Sequence, residues 1–344
     1  METRPEARGH PSIIYIGNTE NDDAFEFILM WGANREKQFD DIWSVTVSKS
    51  DFTVDFNKIV YNNIDEKFTA RNGQAAVFDT DSHEVLMLGG QDSVNNIQFN
   101  DLFSLNKDHD VRKIEFDLSE GMPYPRVRNS HSLVRDHKNH KIYCYGGANA
   151  EDGPLNDLFE FDQDENEWVQ WLTKGSSGPE DVPPELEMHT AHIYYDDDSR
   201  PHMILIGGRC KTSLSDGIYS LDLEELTWTR LCSMPTVLWS HASSLILNQY
   251  IVVYGGFDGL QIFDTIRRYD IKNNQWLTYM KSSDENSSEF FNSGRIASTM
   301  VNANEEIILL FGGSSAMQDY NDTYWLKVQD LAEDSNFSEI TAIM

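Results

Sequence analysis

Four arginines head similar short segments: Arg8-Gly9-His10, Arg71-Asn72-Gly73, Arg128-Asn129-Ser130-His131 and Arg295-Ile296-Ala297-Ser298. Arg35 and the run Arg209-Cys210-Lys211 add positive charge between them. A guanidinium fork suits bidentate capture of a carboxylate. Gathered at one mouth, these residues would bind an acidic peptide or a chain-terminal carboxylate. With His189 and Trp239 they form the set of candidate partner contacts: Arg8, Arg35, Arg71, Arg128, His189, Arg209, Lys211, Trp239 and Arg295. The competing reading is structural, each arginine pairing with an Asp or Glu of the adjacent repeat. His10, His131, His192 and His241 are read at one repeat position, with His189 three residues before His192. A metal site needs converging imidazoles, whereas equivalent positions in successive repeats are spread apart. Bonding to local backbone is therefore the expected role. Cys210 between two cations suggests a thiolate, but no base is assigned to it and it is read as incidental. There is no nucleophile elbow, phosphate loop, metalloprotease helix or paired cysteine site.

The elements that position these residues recur. An apolar run ending in glycine appears six times, with first glycines read at 32, 89, 146, 207, 255 and 312. The steps of 57, 57, 61, 48 and 57 residues indicate a repeat architecture whose loops vary and whose strands stack. After each glycine pair comes a polar loop and a second run, as in Asp40-Asp41-Ile42-Trp43, Asn100-Asp101-Leu102-Phe103, Asn156-Asp157-Leu158-Phe159 and Asn321-Asp322-Thr323-Tyr324. Asn and Asp there are expected to bond their own backbone and fix the turn. A third run carries Trp168, Trp228 and Trp276 in the middle repeats, and weaker runs around Phe56, residues 114–116 and Phe337 elsewhere. A fourth run follows each Arg- or His-bearing segment. Every repeat thus supplies four short strands, the second apolar on consecutive residues and so buried on both faces.

The order Arg-x-Gly/Ser-His, apolar run, Gly-Gly, Asn-Asp-aromatic, Asp turn and Trp resembles the kelch repeat, over about residues 7–344. Two departures are Ala33 where a second glycine is usual and the three absent tryptophans. The resemblance implies an all-β, six-bladed kelch-type β-propeller with four antiparallel strands per blade. It is read as a single domain over residues 1–344, with blades at about 7–61, 69–118, 126–173, 187–232, 237–280 and 293–344. Residues 337–344 are expected to form the fourth strand of blade six, the rival being a strand paired in blade one. The missing tryptophans predict a softer sector at blades six, one and two. The second-to-third and fourth-to-first connections should share a face, with variable segments at 33–39, 91–99, 148–155, 209–215, 314–320, 174–189 and 281–294. Loops on a rigid scaffold are the usual place for recognition.

Composition narrows the function. With 27 Lys and Arg against 57 Asp and Glu the net charge is −30, which disfavours nucleic acid and anionic membranes as partners. Three cysteines without a C-x-x-C pair argue against a disulfide framework or structural zinc. No signal peptide or membrane-spanning run is apparent, and a cytoplasmic protein, with the nucleus as an alternative, is expected. The resemblance implies a non-catalytic adaptor that binds a protein or peptide without a cofactor, as ubiquitin-ligase substrate receptors and trafficking effectors do. The alternative it leaves is a propeller enzyme: a metal-dependent oxidase, an epimerase or a specifier-type protein.

Overall fold

A computed structural model describes residues 4–63, 68–116, 121–279, 293–334 and 337–339. The chain is a six-bladed β-propeller built of antiparallel meanders. It divides into two compact units, Met1–Leu172 and Thr173–Met344, each holding three blades.

In the first unit, blade one is Ser12–Asn18, Ala24–Met30, Ile42–Ser48 and Val54–Ile59. Blade two is Ala75–Asp79, Glu84–Leu88, Leu102–Leu105 and Asp110–Lys113, with Asn62–Asn63 added in parallel on its outer edge. Blade three is Ser132–Asp136, Lys141–Tyr145, Leu158–Asp162 and Glu167–Trp171. In the second unit, blade four is Thr190–Tyr195, Pro201–Ile206, Ile218–Asp222 and Thr227–Arg230, with Lys174–Gly175 on its outer edge. Blade five is Ala242–Ile246, Tyr250–Tyr254, Ile266–Asp270 and Gln275–Tyr279. Blade six is Thr299–Ala303, Ile307–Phe311 and Thr323–Lys327.

The second strands are buried on both faces as their sequence requires: Met203, Ile204, Leu205 and Ile206 have no exposed area. Their side chains alternate between the cores on either side of the blade. Ile204 and Ile206 pack with Leu238, Ile251, Val253 and Trp276 of blade five. Ile142 and Cys144 pack with Leu86 and Leu88 of blade two. The tryptophans Trp168, Trp228 and Trp276 are all buried.

Blade six departs from expectation. Among the described residues it has three strands, and its chain turns into a short helix, Val328–Ala332, that buries Val328 and Leu331 against blade five. Arg268 of blade five donates to the carbonyls of Leu331 (3.0 Å) and Ala332 (2.7 Å) and pairs with Asp334, supplying partners for the helix end. Phe337–Glu339 is a strand, but it extends blade five, with Leu277, Thr278 and Tyr279 opposite Glu339, Ser338 and Phe337. Both expected pairings, in blade six and in blade one, are therefore wrong. Residues 340–344 and most of the 281–294 loop lie outside the described residues.

The glycine register also shifts in blade one. The first position of each pair is left-handed, at φ 64, 60, 62, 70 and 64° for Gly89, Gly146, Gly207, Gly255 and Gly312. In blade one that position is Trp31 (φ 56°), and Gly32 is the second glycine, so Ala33 is not a substitute for it. The second position admits no side chain. A Cβ on Gly147 would lie 2.6 Å from the Asn129 carbonyl oxygen and 2.6 Å from Cβ of His131. Gly147→Ala is expected to lower stability by ~3 kcal/mol, combining backbone strain with overpacking, which chemical denaturation would measure.

Candidate functional site

The four repeated arginines do not line a mouth. Arg8, Arg71, Arg128 and Arg295 are almost wholly buried, and each pairs with the Asp just before the third strand of its own blade. The pairs are Arg8–Asp41 (2.5 Å), Arg71–Asp101 (2.6 Å), Arg128–Asp157 (2.7 Å) and Arg295–Asp322. Each guanidinium also donates to the carbonyl of the first left-handed residue: Trp31, Gly89, Gly146 and Gly312. Three stack on the last ring of the second-to-third loop: Arg8 on Phe39 at 3.7 Å, Arg71 on Phe99 at 4.0 Å and Arg295 on Tyr320 at 4.0 Å. The ion-pair reading thus fits, except that the partner belongs to the same blade. The Asp before the third strand serves the arginine and not its own turn. Blades four and five lose both halves together, with Leu186 and Gly217 in one and Leu238 and Thr265 in the other.

The histidines are redistributed too. His10 holds a left-handed position shared with Gly73, Ser130, Met188, Ser240 and Ala297. His131, His189 and His241 share the next position, each lying over the second glycine of its own blade, and His192 sits within a strand. In blades four and five the histidines bond side chains of the neighbouring blade. Thr190 Oγ1 lies 3.0 Å from His241 Nε2, and His192 Nε2 lies 2.7 Å from Ser243 Oγ. Burial holds His189 and His192 down to about 4 and, with His189, His192 and Arg267 nearby, His241 down to about 3. Among the described residues, no group of three or more His, Cys, Asp or Glu is placed to hold a metal ion. Burial pushes the Cys210 thiol up, which opposes a reactive thiolate.

The second-to-third loops share one design. A side chain at the second residue after the glycine pair accepts from backbone N–H groups two and three residues on, closing the tip. Asn34 does so for Glu36 and Lys37, Asp92 for Val94 and Asn95, and Asn149 for Glu151 and Asp152. Asp258 does it for Leu260 and Gln261, and Ser315 for Met317 and Gln318. Cys210 occupies the same place in blade four, and Ser213 bonds to it.

What the tips present differs between the units. In the first unit, glutamines lace neighbouring loops together. Gln38 donates to the Gln91 carbonyl (2.9 Å) and accepts from the Ser93 N–H (2.8 Å), and Gln98 accepts from the Ala150 N–H (2.7 Å). Arg35 is exposed on the blade-one loop. In the second unit, Arg209 pairs with Glu187 (2.5 Å) and lies 5.7 Å from the ring of Trp239, which packs edge-on against Phe257 at 5.8 Å. Lys211 is exposed beside them. Leu260 and Met317, at the tips of blades five and six, are 92% and 85% exposed. Sequence reasoning kept Arg209, Lys211 and Trp239 but missed Leu260 and Met317. The signal that finds them, an apolar residue two positions after the turn-closing Asp or Ser, also finds Val94, 75% exposed on the blade-two tip.

Among the described residues no helix is long and apolar enough to cross a membrane. Residues 117–293 match the family model described as the KLHDC2/KLHL20/DRC7 Kelch-repeats domain. The chain is 35% identical to host cell factor 2 of Homo sapiens over 148 residues, 39% of this chain and 18% of that protein. It is 31% identical to host cell factor 1 of Rattus norvegicus over 157 residues, 41% of this chain and 7% of that protein. With Kelch domain-containing protein 3 of Bos taurus it shares 25% identity over 169 residues, 45% of this chain and 41% of that protein. The matches therefore span less than half the length of each of these relatives.

Proposed function

The chain belongs to the kelch-repeat family, and from that premise we propose that it is a non-catalytic adaptor that binds a protein or peptide through the second-to-third loops of blades four to six. One observation carries this reading: Leu260 and Met317 stand almost fully exposed on turns closed by side-chain hydrogen bonds. Isolated apolar side chains are common on surfaces, but two on preshaped tips, one of them on the same loop as Phe257 of an aromatic pair, favour a contact surface. Arg209 and Lys211 at its margin suit a partner segment with a carboxylate next to its apolar residues. Substrate reception for a ubiquitin ligase and trafficking are the two forms of adaptor that the reading covers.

The test is affinity capture with quantitative mass spectrometry on the wild type, Leu260→Asp/Met317→Asp and Lys272→Ala, the last at the opposite end of blade five. Specific partners should fall at least tenfold with the double variant and stay with the lysine variant. Equal capture by all three folded proteins would remove this face from consideration. Stoichiometric copper or iron in the purified protein would replace the adaptor reading with the enzymatic one.

A further inference from the structure

Blade five holds a guanidinium in the place where four other blades hold an ion pair, but without the carboxylate. Its Arg-equivalent is Leu238 and its Asp-equivalent is Thr265. Arg267, two residues after Thr265 and so on the same face of the strand, lies 4.7 Å from the ring of Phe263. Phe263 is the counterpart of Phe39, Phe99 and Tyr320, since each donates its N–H to the second glycine of its blade. The guanidinium therefore enters the same slot from a different backbone position.

Arg267 is only 7% exposed, and its Nη1 makes no hydrogen bond among the described residues. Thr265 Oγ1 is likewise buried and unbonded. Asp258 and Asp264 face it from the loop, but neither forms an ion pair with it, and Asp258 is engaged in closing the loop tip. The other buried arginines, Arg8, Arg71, Arg128, Arg135, Arg268 and Arg295, all have a carboxylate partner. A buried charge without a counterion is costly.

We infer that this slot of blade five is an anion site that takes a carboxylate-sized oxyanion, with Arg267 Nη1 and Thr265 Oγ1 donating to it. The inference goes beyond the adaptor reading and does not depend on it. The oxyanion is either free in solution or displayed by a partner, and the two sources are separable.

The experiment is thermal melting of the whole chain at constant ionic strength, titrated with sodium formate and, separately, with an N-acetylated triglutamate amide. The wild type should show a saturable rise in melting temperature of a few degrees that equal sodium chloride does not give. Thr265→Asp, which supplies the missing internal carboxylate, should melt higher than wild type without ligand and respond at least tenfold more weakly. Arg267→Leu should melt no lower than wild type and not respond. If it fails to fold, Thr265→Asp decides alone. A formate response means a free oxyanion fills the slot, and a response to the triglutamate alone means a displayed carboxylate does. No response to either probe, together with a Thr265→Asp variant that melts lower, would overturn the proposal. So would a response that appears only after Asp284, Glu285 and Glu289 are all changed to amides, because the chain would then be supplying the carboxylate itself.

Discussion

Between pH 7 and pH 5 the protein is expected to lose ~4 kcal/mol of stability through His189 and His241 alone, ~2 kcal/mol each. The unfolded imidazole binds a proton near pH 6.5. The folded ones resist until about pH 4 and about pH 3, because burial disfavours their charged form. Protons thus bind the unfolded chain first as the pH falls, so stability is complete above about pH 6.5 and drains towards pH 4. Carboxylates do not set this window. Asp41, where burial raises the carboxyl but the hydrogen bonds and charge of Arg8 together with Trp43 and Lys58 outweigh it, stays below the usual carboxylate range and would lose its contribution only in stronger acid. Urea unfolding at pH 7 and pH 5 checks the loss. A His189→Gln/His241→Gln variant should show a flatter profile, and an unchanged slope would refute the assignment.

The second large effect concerns the buried ion pairs. Arg128→Leu should destabilise the protein by ~3–5 kcal/mol, because Asp157 and the Gly146 carbonyl lose their buried donor. Arg128→Leu/Asp157→Thr should recover most of that loss, since it removes both charges together and leaves the residue types that blade five has at positions 238 and 265. A double-mutant cycle in denaturant should give a coupling of at least ~2 kcal/mol. Simple addition of the two single effects would show that the pair is not the unit of stability.

The blade count was legible in the sequence because it rests on steric necessities: glycines where a side chain cannot fit, and second strands apolar on both faces. The arginine pairing was only half legible. Arginines and aspartates both recurred, but partners such as Arg8 and Asp41 lie 33 residues apart, and no local pattern joins them. Trp31 misled the register because a bulky residue rarely takes a left-handed conformation. In blade six, residues 337–339 have the composition of a strand, which their pairing confirms, but composition does not say which edge a strand joins. The helix at Val328–Ala332 is too short to show a 3.6-residue period. In blade two the partner of Leu105 is Val111, and residues 114–116 instead approach Trp168 of blade three, so the missing tryptophan is met by a smaller buried side chain.

The closed loop tips bear on how such a protein diversifies. One side chain, from Asn, Asp, Ser or Cys, holds the tip of each loop, and what the residue two places on gives to that hold, in five of the six loops, is its backbone N–H. Six outward positions, occupied by Glu36, Val94, Glu151, Thr212, Leu260 and Met317, can therefore be exchanged without refolding the loops that carry them. Mutation can explore new specificities there one codon at a time, and a combinatorial library confined to those codons would sample recognition while leaving the framework intact.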